Sequence, residues 1–181
     1  MSSPHVYKFA IHPEVLSEGS ALFSEFNPPV VDCFCFPIDK YWYTEYSFSN
    51  LPPLLSYLRS YVYHQLEISG FQIRNSGRMI LYSYNSTSDH ASFSRSMFYT
   101  PGFPRVHAIL MFTKDGVYDS GLIYKKRTHL KHAYLSNMSI EEDVKTDLPE
   151  GMGVMYHQDN YMEFVGGSGI LQMMCISFDQ K

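Results

Sequence analysis

RVHAILMFTKDGVYDSGLIYK, residues 105–125, is the stretch on which the fold turns. Its two apolar, β-branched runs, 105–113 and 117–125, read as strands. Lys114-Asp115-Gly116 lies between them, and Asp-Gly is among the strongest short-range signals for a hairpin turn. An antiparallel sheet built around this hairpin is therefore the first expectation.

Working outward, 5–11, 30–36, 41–48 and 78–84 carry further strand composition, and 152–157, 161–165 and 170–178 close the chain as strands. Gly166-Gly167-Ser168-Gly169 reads as a turn rather than a phosphate cradle, because a strand and not a helix follows it. Leu51, Leu54, Leu55, Leu58, Val62 and Leu66 recur at the spacing of one helical face. Pro52-Pro53 suits the first turn of that helix and Gly70 its end. Residues 13–27 allow a short helical turn. Ser139-Ile140-Glu141-Glu142 has the form of a capping box and predicts a short acidic helix ending before Pro149. The expectation is one α+β domain over 1–181: a mainly antiparallel sheet, one major amphipathic helix and one short acidic helix.

Composition narrows the class. With 45% hydrophobic and 18% charged residues the chain has ample material for a core and is not disordered. No apolar run approaches the ~20 residues that span a bilayer. The first residues lack a signal-peptide layout, and three cysteines do not suggest a disulfide framework. These features point to an intracellular, unsecreted protein. Fifteen Tyr, 13 Phe and ten Met suit half-buried sheet faces or an interface between copies. Two bases and six acids occupy 1–58, ten bases and four acids 59–131, and two bases and eight acids 132–181. A basic middle between acidic ends can bind phosphate or favour head-to-tail assembly.

No complete catalytic set is evident. His90-Ala91-Ser92-Phe93 fits the His-x-Ser/Thr-apolar pattern of two-histidine phosphoesterases, but His107, His129 and His132 lack the hydroxyl two positions on. Cys33 and Cys35 alternate across a strand and cannot easily share a metal ion. The run 125–132 gives Lys125, Lys126, Arg127 and Lys131 as a basic patch, with Arg74 and Arg78 as further members. Such a patch supplies salt-dependent phosphate affinity without base specificity.

In element order the chain from Tyr41 onward resembles the globular domain of rhabdovirus matrix proteins: strand and amphipathic helix over 41–66, basic strand over 78–84, Ser-rich loop, long hairpin, short charged helix and closing strands. It departs from them in an acidic N-terminal part and in Asn27-Pro28-Pro29-Val30-Val31, which lacks the tyrosine of a late motif. The resemblance implies a non-enzymatic virion protein that self-associates, condenses nucleocapsids and touches membrane. The resulting expectation is a homo-oligomer in the host cytoplasm. Its partners are nucleocapsid or RNA and an anionic membrane surface, and it has no metal, no cofactor and no small-molecule substrate. A monomeric viral accessory module binding RNA or a host factor, and a two-histidine phosphodiesterase, are the alternatives.

Overall fold

The helix at Leu51 forms where its apolar spacing places it. In the computed structural model, which describes residues 6–25, 31–33, 36–86, 93–94, 105–118, 121–127, 140–157, 160–164 and 167–181, one turn of 3-10 helix (Phe48–Asn50) precedes it. The chain opens with β1 (Val6–Ala10) and α1 (Pro13–Glu25), followed by β2 (Val31–Cys33), β3 (Phe36–Ser47) and α2 (Pro53–Ile68). Pro53 holds the first position of α2, where its missing N–H costs nothing. At the far end Gly70 takes φ 85°, the Gly70 N–H donates to Glu67 O and the Phe71 N–H donates to Leu66 O, both at 3.0 Å. This is a Schellman stop, which needs a residue free to adopt left-handed backbone. The helix buries Leu55, Leu58, Val62 and Leu66 completely, each contributing about 1.5–3 kcal/mol as an upper figure.

Eight strands follow: β4 (Ile73–Ser86), β5 (Phe93–Ser94), β6 (Arg105–Tyr118), β7 (Gly121–Arg127), β8 (Ile140–Asp147), β9 (Met152–His157), β10 (Asn160–Phe164) and β11 (Gly167–Gln180). They form a seven-stranded sheet in the order β1-β9-β6-β11-β4-β3-β2 and a four-stranded sheet in the order β5-β10-β7-β8. Every pairing is antiparallel. From β4 onward the chain alternates large, small, large, small, small, large, small, large. That is the winding of a jelly roll. One face of the large sheet packs on the helices: Met79, Leu81, Val106, Ala108, Leu110, Phe112, Met155, Met174, Ile176 and Phe178 join Val15, Leu22 and the α2 residues in one core.

Five expectations are corrected here. The 105–125 hairpin does not exist: β6 runs unbroken to Tyr118, with Asp115 and Gly116 paired to Ile170 and Gly169 of β11, and the chain then crosses to the other sheet. A neighbouring strand on the same sheet saturates the backbone there, which overrides the local turn preference. The short acidic helix is instead the strand β8, paired among the described residues only with β7, its Val144 opposite Tyr124 and its Thr146 opposite Leu122. Its acidic residues suit a strand that must resist further pairing. The architecture is accordingly a two-sheet jelly roll rather than an α+β sheet with one major helix. A second helix, α1, stands where only a short turn was expected. Gly167 to Gly169, expected in a turn, are paired within β11.

Candidate functional site

Alternation along a strand gives the large sheet a second face, turned away from the helices. Its positions fall in rows set by the register. Arg78 of β4, Ser177 of β11, His107 of β6 and Tyr156 of β9 form one row. Ile80, Cys175, Ile109 and Val154 form the next, and Tyr82, Met173 and Met111 the one after. Beyond the first row Asp179 stands opposite Arg105. The face is thus apolar along most of its length and polar at one end. Apart from the exposed Arg78 and the half-buried Ile80 and Asp179, its residues are buried. They lie outside the helix-packed core.

The polar end has definite electrostatics. Arg105 Nε lies 3.4 Å from Asp179 Oδ1, and Ser76 Oγ donates to Asp179 Oδ2 at 2.7 Å. His107 is 4% exposed and its ring centroid lies 5.3 Å from that of Tyr156. Burial, reinforced by the positive charge of Arg105 and by His157, pushes its pKa down to about 3, so the imidazole is neutral. Burial pushes the Cys175 thiol up, which keeps it protonated and unreactive. Ser177 Oγ is buried with no hydrogen-bond partner among the described residues. Such an orphan is rare in a folded core.

Of the residues expected to form a basic patch, Lys125, Lys126 and Arg127 lie on β7 in the small sheet. Arg74 and Arg78 are exposed on β4, in the other sheet. Lys131 lies outside the described residues, as do His90, His129, His132 and Cys35. The inner-face row had no signal in the sequence, because its members come from four strands spread over a hundred residues.

No family profile and no curated protein matches this chain in sequence. Solved structures do match in fold. A prolyl-4-hydroxylase from Pseudomonas putida superposes with a TM-score of 0.60 at 11% identity, covering 98% of this chain and 93% of its own. A prolyl hydroxylase from Trichoplax adhaerens, in complex with a hypoxia-inducible-factor degradation-domain peptide, gives 0.62 at 8%, covering 97% and 84%. HygX from Streptomyces hygroscopicus, with nickel, 2-oxoglutarate and hygromycin B bound, gives 0.59 at 10%, covering 99% and 84%. At such identities the likeness shows the fold: the jelly roll is the double-stranded β-helix that 2-oxoglutarate/Fe(II) oxygenases use.

These findings overturn the matrix-protein resemblance. With it falls the expectation of a non-enzymatic, self-associating virion protein whose partners are its own copies, nucleocapsid, RNA or membrane. The matched proteins are enzymes, and HygX holds small molecules, contrary to the expectation of no small-molecule substrate. The accessory-module and phosphodiesterase alternatives find no support either.

The 2-oxoglutarate/Fe(II) oxygenases of this fold hold iron with two histidines and one carboxylate. The described side chains do not fit it. Among them no three His, Cys, Asp or Glu groups converge. His107 has Arg105 beside it, and Asp179 is committed to Arg105 and Ser76. His157, in register with Val106, lies on the helix-packed face with its ring centroid 5.1 Å from that of Phe71. His64 is exposed on α2, and His12 is exposed just before α1.

Proposed function

We propose that this chain is an oxygenase-type enzyme that takes 2-oxoglutarate as co-substrate and oxidises a small molecule or a peptide side chain held between the two sheets. The observation that carries the reading is the jelly-roll winding, matched along nearly the whole chain to prolyl hydroxylases and to HygX, which has nickel, 2-oxoglutarate and hygromycin B bound. The apolar inner face with one polar end suits an organic substrate that has a single polar terminus.

The test is consumption of 2-oxoglutarate by the full chain under oxygen with added Fe(II), alone and with panels of peptides and small hydroxylatable compounds. Consumption above a protein-free control is the expected result. None with any panel member sinks the reading. Lys125 and Arg127, with Lys126, Lys131, Arg74 and Arg78, are proposed as charges that attract an acidic group of the substrate. Reversing Lys125 and Arg127 to Glu is then expected to raise KM for acidic substrates at low salt and to leave neutral ones unaffected.

A further inference from the structure

We infer that, of the described histidines, the two sheets bring only His107 into the space between them, and that a metal centre there departs from the two-histidine, one-carboxylate arrangement. The inference rests on the oxygenase reading only for where a metal would sit.

The argument is one of reach. Ligand atoms each about 2 Å from one ion lie within roughly 3 Å of one another. On a sheet only directly opposed positions, with Cβ atoms ~4.5–5.5 Å apart, or diagonal ones at ~7–8 Å can converge so closely. Among the described residues, the inner-face positions within that range of His107 are Ser177, Tyr156, Arg105, Ile109, Cys175, Val154 and Asp179. None is a histidine, one is a fixed cation, and the lone carboxylate is already paired to that cation. The small sheet contributes no second imidazole: its strands read FS, GLIYKKR, IEEDVKTD and NYMEF. His157, His12 and His64 belong to the helix side of the large sheet. A two-histidine set would therefore have to draw on His5, His90, His129 or His132, which lie outside the described residues.

The test is a titration of the full chain with Co(II), followed by calorimetry and by the visible absorption of the bound ion, on the wild type and on five single variants: H5A, H90A, H107Q, H129A and H132A. H107N replaces H107Q if the latter fails to fold by circular dichroism. The expected result is that no more than one variant loses more than about tenfold in affinity, the scale on which altering a metal's surroundings is felt. A wild type with no stoichiometric site also supports the inference. Two different folded variants that each lose a 1:1 site would overturn it. Consumption of 2-oxoglutarate measured on the same preparations reports separately on the proposed function. Turnover with a two-histidine dependence overturns only this inference, and absent turnover with at most one sensitive histidine overturns only the function.

Discussion

His107 shows how a single side chain on the inner face couples the interior to pH. Its pKa falls from 6.5 to about 3 on folding, chiefly because burial disfavours the imidazolium, with the charge of Arg105 adding to the effect. Between those values the unfolded chain binds a proton that the folded chain refuses. Stability from this group is therefore complete above about pH 6.5 and is lost as pH falls toward 3, at up to roughly 1.4 kcal/mol per pH unit. H107Q keeps hydrogen-bonding capacity without titrating. Denaturant unfolding of both proteins at several pH values should show a shallower acid slope for the variant, and parallel slopes would refute the assignment. Ser177 makes the complementary case. Because its hydroxyl is buried without a partner among the described residues, S177A should leave the unfolding free energy unchanged or raise it by up to about 1 kcal/mol. A clear loss by the same measurement would mean that a bound water satisfies the hydroxyl.

Elements meet where the sequence lets backbones approach. In α1, Val15, Gly19, Leu22 and Phe23 fall on one stripe and are buried against the sheet. A Cβ at Gly19 would collide with the ring of Phe112, itself buried on β6 and tilted against Phe23 at 6.0 Å between centroids. G19A should cost about 1–3 kcal/mol through overpacking despite the better helix propensity of alanine, and thermal unfolding that shows no loss would place α1 differently. The same stripe explains what was hard to read: a glycine at its centre weakens the apolar period, whereas Leu51 to Leu66 repeat without interruption and end at a glycine that the stop requires. Local pattern located α2 and most strands. It misread Asp115-Gly116 and Ile140–Asp147, because whether a strand continues, and whether it pairs on one side or two, is decided by β11 and β7, which lie far away or across the fold.

At the scale of the molecule, the site is a property of the winding. Arg78, His107, Tyr156 and Ser177 are neighbours only because β4, β6, β9 and β11 come together in one sheet, so no spacing in the sequence announces them. The basic run was conspicuous for the opposite reason, being contiguous in the chain. A ligand held between two sheets stabilises both, and so should act on the whole unfolding transition. A ligand at 100 times its Kd adds about 2.7 kcal/mol to the folded state. For a chain of this length each kcal/mol moves Tm by roughly 2–4 °C, so saturating 2-oxoglutarate should raise Tm by about 5–11 °C. Glutarate, which has both carboxylates but lacks the keto group, separates recognition of the keto acid from a general anion effect on Arg78 and its neighbours. A shift with 2-oxoglutarate that glutarate does not reproduce supports a co-substrate site. Equal shifts with both would reassign the site to dicarboxylate binding alone, and no shift at millimolar concentration, with and without Fe(II), would remove 2-oxoglutarate from the account of this fold.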